Sequence, residues 1–273
     1  MSYDLILQRK FCTLRKISAD YIFPVSQPPV KNGIILLDES GCLFNDVLDP
    51  QNLDYDLSDV VKHEGFICPG FVNTHCHLEL SYLRNKMSEH SGLDKFITEL
   101  KVVRKNINEE EKIYAMHAAE EEMIKNGIVA VGDISNNNST FALKNKSKIF
   151  FHTFIEAFAS DSAKAEYVFD KAMKLHLEIS RNLRNNKSSI TPHAPYSLSK
   201  KLFGKIFNFA QISGNILSMH HQESEEENRF FLSDKGNINE MQKAFGVAYS
   251  DFSNTGLRPL ESVAAYFPER NPL

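Results

Sequence analysis

The chain has 273 residues, 42% of them hydrophobic and 24% charged, with a net charge of −4; this is an ordinary globular composition, long enough for one large domain or a large one and a small one. With so mild a charge and no Lys/Arg block, nothing draws it to nucleic acid or a membrane surface, and neither partner is expected. No apolar run approaches a membrane span, "MSYDLILQRKFCTLRK" lacks a signal peptide's apolar core, and Cys12, Cys42, Cys68 and Cys76 form no CxxC pair, so reduced thiols in a cytoplasmic protein are the expectation.

From 17 to 47, short apolar runs alternate with turn signals: "DYIFPV", "QPPVKNG", "IILLD", "ESG", "CLFNDV". Such spacing predicts small strands and hairpins. After residue 68 the grammar changes. "GFVNTH" predicts a short strand, and helical periodicity follows through 93–105 and 109–126, closed by Gly127. "IVAVGDIS" (128–135) and "KIFFHTFIEAF" (148–158) predict strands, and 162–179 carries helical spacing at Ala165, Val168, Phe169, Ala172 and Met173. A fourth strand is predicted at "SSITPHAP" (188–195). Ser199 then caps a helix with Leu202, Phe203, Ile206, Phe207 and Ala210 on one face, stopped by Gly214. "NILSMHH" (215–221) predicts a fifth strand, and a last helix starts at Pro259 and runs near Phe267.

Strands alternating with helices imply a parallel sheet covered by helices. An open doubly wound sheet would carry a Gly-rich phosphate turn, and the chain has neither GxGxxG nor GxxxxGK[ST]. Polar chemistry instead sits at the C-terminal ends of separate strands, at His75/His77, His193 and His220. A (β/α)8 TIM-type barrel builds its active site that way.

Residues i and i+2 of a strand share a face, so His75 and His77 both aim into a barrel mouth while Cys76 faces the helices. Two neutral imidazoles are good zinc or iron ligands, though an HxH alone also fits two unrelated histidines. In "MHHQESEEE", His220 ends a strand and offers a third corner, and Glu223 lies three residues on. A metal pulls the pKa of its water towards neutrality, and an adjacent Glu can shuttle the proton. Glu225 to Glu227 read as a solvated acidic run, and His221 points away by alternation. His193, flanked by prolines in "TPHAPYS", is held rigidly enough to bond substrate, although alone it also fits a structural histidine.

Together "PGFVNTHCH", "TPHAPYSLS" and "MHHQES" resemble, in order and placement, the amidohydrolase superfamily, and more closely its mononuclear deaminase/chlorohydrolase-like branch. The likeness spans roughly 17–273. It implies His75, His77 and His220 as ligands of one divalent metal (zinc, or iron), Glu223 as proton shuttle and His193 as a substrate contact. The "HLELS" continuation looks like the aminodeoxyfutalosine deaminase-like members, where Glu79 would sit near the substrate's base. Relatives with binuclear sites carry a carbamylated lysine on the fourth strand, whereas this one ends in Thr191, Pro192 and His193. The implied reaction is hydrolytic deamination of an aminopurine-like heterocycle; alternatives are hydrolysis of another C–N or C–halogen bond, or a fragment without turnover. A homodimer is compatible with the resemblance.

Five strands beginning near 70, 128, 148, 188 and 215 leave three βα units of a full barrel to come, on the order of 100 residues by fold size. The stretch after His221 is about half that and holds no histidine, so the family's further His and Asp are not expected in it. Asp234 and Asp251 do not fit that role, and "ERNPL" reads as the approach to a sixth strand. The expectation is a barrel of about five units over 69–273, preceded by an N-terminal β segment over 1–68 that forms half of a small sandwich.

Overall fold

The computed structural model describes residues 15–37, 43–49, 59–182, 186–233, 236–244, 246, 251–252 and 254–267. Cys12, Cys42, Asp234 and the "ERNPL" terminus lie outside the described residues. The chain divides into two compact units, Met1–Gly70 and Phe71–Leu273.

In the first unit, β1 (Arg15–Ile22) pairs antiparallel with β2 (Val30–Lys31) and β3 (Ile34–Leu37), and β3 pairs antiparallel with β4 (Leu43–Leu48). These are the strands that the apolar runs of 17–47 predict. A further strand, β5 (Val60–Ile67), lies parallel to β1. The sequence reading misses it because its "VVKHEGFI" is mostly exposed and lacks the apolar signature of a core strand. Its register slips between Ala19 and Tyr21, where Gly65 at φ +89° donates its N–H to Asp20 Oδ2 (2.9 Å). Such a positive φ suits glycine at a bulge.

The second unit is built on four parallel strands in the order β6 (Phe71–Cys76), β7 (Ile128–Ser135), β8 (Phe150–Ala157) and β9 (Lys187–Pro192). β7 to β9 keep an unbroken register, whereas β6 slips twice against β7. Between them come α1 (Leu93–Asn106), α2 (Glu109–Lys125), α3 (Phe141–Lys144) and α4 (Ala165–Asn182). Asn108 caps α2 by accepting the Glu111 N–H (2.8 Å). After β9 come α5 (Lys200–Ser213), α6 (Glu225–Ser233), α7 (Asn237–Ala244) and α8 (Pro259–Val263). Ser199 Oγ accepts the Leu202 N–H, and Gly214 stops α5 in the left-handed region at φ 67°.

The core lies against the helical faces of the sheet. Leu202, Phe203, Ile206, Phe207 and Ala210 of α5 are buried with Ile155, Ile190, Phe230 and Phe231; each large apolar side chain removed from water contributes about 1.5–3 kcal/mol. A second cluster packs Met116 and Met123 of α2 against Val131, Phe151 and Leu78. Cys76 sits at its edge, and burial pushes its thiol up to about 12, an inert apolar side chain rather than a ligand.

The fifth predicted strand differs. Residues 215–221 run beside β9 without forming a ladder. Thr191 stands in for backbone pairing: its hydroxyl donates to the Ser218 carbonyl and accepts the Ser218 N–H (2.8 Å). Pro192 has no N–H, so regular pairing ends there, and the next link is His220 N–H to the His193 carbonyl at 2.8 Å. β9 does include a lysine, Lys187, but it is exposed at the strand's start, the end opposite His193.

Candidate metal centre and active site

The carboxyl ends of β6, β8 and β9, with the 215–221 segment, converge on one cavity of about 1140 Å³. His75 lies in β6 and His77 just past its end, with ring centroids 5.1 Å apart. His220 stacks on His77 at 5.2 Å, and the two Nε2 atoms are 3.2 Å apart across 143 residues of chain. The ligand-type atoms of His75, His77 and His220 all lie within 4.8 Å of one another.

The protonation of each ring follows from its partners. His220 Nδ1 donates to Glu223 Oε1 at 2.7 Å; this bond raises the pKa of His220 and lowers that of Glu223. Burial pulls His75, His77 and His193 down, His193 to about 4. They are neutral imidazoles near pH 7, the form that offers a lone pair to a metal. Ser197 Oγ donates its one proton to the Ala194 carbonyl (2.8 Å). His193 Nδ1, 2.8 Å from that Oγ, is therefore the donor, and its Nε2 is a bare acceptor. His77 Nδ1 is buried with no hydrogen-bond partner. Three imidazoles whose ring nitrogens lie within 4.8 Å of one another, with a carboxylate holding one of them, suit a divalent ion of zinc or iron type.

Glu223 sits just after Gln222, whose φ of 53° turns the chain sharply out of the 215–221 segment. Its own N–H is held by Glu227 Oε2 (3.1 Å). Glu227 departs from the solvated run expected for 225–227. It is 1% exposed, because helical periodicity at the start of α6 turns it inward, while Glu225 stays exposed and the half-buried Glu226 pairs with Arg229. Burial pushes its carboxyl up to about 7. His221 Nε2 is buried, and the ring is not part of the cavity wall. Asp251 accepts the Lys200 N–H at the start of α5 (2.9 Å).

Glu79 lies in the cavity wall, 5% exposed, with Oε2 accepting the Asn136 N–H (3.1 Å); burial pushes it up to about 7. Asn136 also donates its side-chain amide to Glu156 Oε2 at 3.0 Å. Glu156, at the end of β8, is 9% exposed and points Oε1 at His220 Nε2 (3.6 Å) and His193 Nε2 (4.0 Å). Sequence reading missed both Asn136 and Glu156, although the rule that singles out strand-end histidines applies equally to a strand-end carboxylate. Leu93, Phe96, Ile97 and Leu100 of α1 give the cavity an apolar wall, the usual make-up of a small-molecule site.

Behind the histidines lies a second unforeseen feature. Asp133 and Lys144 form an ion pair with both side chains fully buried. Asp133 Oδ1 accepts the Leu78 N–H (2.7 Å), the residue directly after His77. Lys144 also donates to Ser135 Oγ (3.2 Å) and Thr153 Oγ1 (2.9 Å).

A model of the amidohydrolase family matches residues 66–251. The chain belongs to the amidohydrolase family. The amidohydrolase match brings with it a TIM-barrel-like α/β fold, in keeping with the parallel sheet and its covering helices. The chain is 24% identical over 224 residues to a 5-methylthioadenosine/S-adenosylhomocysteine deaminase of Halothermothrix orenii, covering 78% of this chain and 50% of that protein. It is 30% identical over 177 residues to an adenosine deaminase of Helicobacter pylori, covering 62% and 41% respectively. The crystal structure of Helicobacter pylori aminofutalosine deaminase with methylthio-coformycin superposes with a TM-score of 0.72 at 22% identity, over 88% of this chain and 58% of that one. This amidohydrolase chain thus spans about half the length of the curated relatives it matches.

Proposed function

We propose that this amidohydrolase chain forms the metal-binding part of a hydrolytic deaminase for an adenosine-like N-heterocycle. The observation that carries the reading is the convergence of His75, His77 and His220 within 4.8 Å of one another, with Glu223 bonded to His220 at the cavity. Relatives named as deaminases of adenosine and of 5-methylthioadenosine/S-adenosylhomocysteine support the substrate class. In this reading residues 69–273 make about five units of a (β/α)8 barrel, and residues 1–68 belong to a small β-sandwich.

His75, His77 and His220 would hold one divalent ion, zinc by the chemistry of three imidazoles. When bound, it supplies a water acidified towards neutrality as nucleophile. Glu223, its pKa held low by His220, is an ionised base at pH 7. It takes a proton as the water oxygen bonds to the amine-bearing ring carbon, and passes it to the ring nitrogen. Collapse of the adduct breaks the C–N bond and releases ammonia with a second proton, leaving a carbonyl on the ring. His193 and Glu79 bind the substrate. Neutral His193 presents a bare Nε2 to a donor, and Glu79, with its raised pKa, can carry a proton to offer a ring acceptor.

The test is ammonia release from adenosine, 5′-deoxyadenosine, 5-methylthioadenosine and aminofutalosine by the zinc-loaded 273-residue chain. Turnover is expected to fall by about 10²–10⁴ in Glu223→Gln with zinc still bound. A chain that binds no stoichiometric zinc, or one that releases ammonia from these substrates no faster than its Glu223→Gln variant while turning them over, refutes the reading.

A further inference from the structure

The Asp133–Lys144 pair takes no part in the chemistry proposed above, yet it bears on the two histidines of β6. The β6–β7 ladder pairs Asn73 with Val131 and next pairs Cys76 with Asp133. Three residue steps on β6 therefore face two on β7, a bulge that sets Thr74 and His75 opposite Gly132. Alternation along β6 does not by itself aim His75 and His77, because the strand carries an extra residue there and ends at Cys76. Nor does a contact at the far side of the His77 ring, since its Nδ1 has no hydrogen-bond partner, where a metal-binding imidazole is usually held. The aim of the pair falls to the backbone.

β7 holds that backbone. A Cβ on Gly132 would come 2.6 Å from the Thr74 carbonyl oxygen, so glycine lets the bulged chain lie this close. The Asn73 side chain accepts the His75 N–H (3.2 Å). Past His77, Asp133 Oδ1 accepts the Leu78 N–H (2.7 Å), the first N–H of the short helical turn Leu78–Leu83, which has no partner inside that turn. Asp133 is itself fixed: Ser135 Oγ donates to its Oδ2 (3.1 Å), and Lys144 binds the same oxygen from the end of α3 while donating to Thr153 Oγ1 on β8 (2.9 Å). An apolar pair of similar volume would fill this space without desolvating two charges, whereas a carboxylate accepts the Leu78 N–H about twice as strongly as a neutral group. We propose that the buried Asp133–Lys144 pair is a positioning device for the metal site. Asp133 clamps the chain directly after His77 and so fixes His75 and His77 to face His220, and Lys144 keeps that clamp charged and immobile.

This inference rests on the metal-site reading above, and one experiment separates the two. Zinc is titrated calorimetrically into the apo 273-residue chain and into Asp133→Ala, Asp133→Asn, the double variant Asp133→Ala with Lys144→Met, and His220→Ala, each checked by circular dichroism. Ile179→Ala, which truncates a fully buried side chain of α4, controls for lost stability alone. Cobalt(II) visible spectra are recorded in parallel. The unaltered chain and Ile179→Ala are expected to bind one equivalent of zinc equally well, and His220→Ala to lose most of that affinity. Asp133→Ala is expected to weaken zinc about 10–100-fold and to alter the cobalt absorption. Asp133→Asn, whose amide oxygen can still accept the Leu78 N–H, recovers part of the loss. The double variant strands no charge and gives the same reading should Asp133→Ala not fold. A loss smaller than tenfold relative to Ile179→Ala in whichever variant without the Asp133 carboxylate folds, with His220→Ala still impaired, overturns the positioning role and leaves the three-histidine site standing. Asp133→Asn binding no tighter than Asp133→Ala overturns it as well. No zinc binding by the unaltered chain overturns both.

Discussion

Replacing Lys144 by Met strips the counter-ion from a carboxylate that water cannot reach. Asp133 and Lys144 side chains are both fully buried, and the ammonium serves Asp133, Ser135 and Thr153 at once. Methionine fills the space but leaves the Asp133 charge uncompensated. Breaking a buried pair this way costs about 3–5 kcal/mol. At about 2–4 °C per kcal/mol for a unit of this size, the melting temperature falls by roughly 6–20 °C. Asp133→Asn inverts the defect, stranding the ammonium while an amide oxygen can still accept the Leu78 N–H. The double variant removes both charges together and is expected to cost about 1–3 kcal/mol less than the sum of the singles. Urea denaturation of the apo chain, followed by circular dichroism, measures all four proteins. A Lys144→Met cost below about 1 kcal/mol, or strict additivity in the double variant, would refute the claim that this pair is desolvated and coupled.

Gly132→Ala is expected to destabilise by about 1–3 kcal/mol, because its Cβ would meet the Thr74 carbonyl oxygen at 2.6 Å and the Phe154 ring at 3.1 Å; a denaturation midpoint unchanged from the parent would contradict that packing. Glu227 yields a pH prediction. Its folded pKa, near 7, lies above the ordinary glutamate value of 4.5, so between these values the folded state binds more protons than the unfolded one. Stability is then highest below about pH 4.5 as far as this group is concerned, and is lost as pH rises to about 7. Glu227→Gln is expected to flatten that decline, by about 1–3 kcal/mol between pH 5 and 8; parallel stability–pH curves for the two proteins would count against it.

Much of the second unit was readable from periodicity because its elements follow local rules. "IVAVGDIS" is an unbroken apolar strand, and Ser199 and Gly214 bracket their helix by capping chemistry that needs no partner distant in sequence. The HxH pair was legible for a similar reason, since two histidines two residues apart at the end of a strand are neighbours by local geometry alone. Features that escaped depend on contacts across the chain. Segment 215–221 looks like a strand in composition, yet Pro192 and the Thr191 side chain deny it a ladder. Glu227 reads as one of several solvated acids until the start of α6 turns it into the core.

From residue types and spacing alone came the parallel-sheet architecture, the strand-end histidines and the resemblance that ties them to metal-dependent hydrolysis, because strand alternation and helix period are properties of the local chain. Tertiary structure decided which groups meet. Glu156 lies 64 residues before His220 in sequence, and Asp133 lies 55 residues after Leu78. No local pattern marks a carboxylate whose role depends on what faces it, and burial, which turns an ordinary Glu or Lys into a costly charge needing a partner, exists only once the strands and helices have packed.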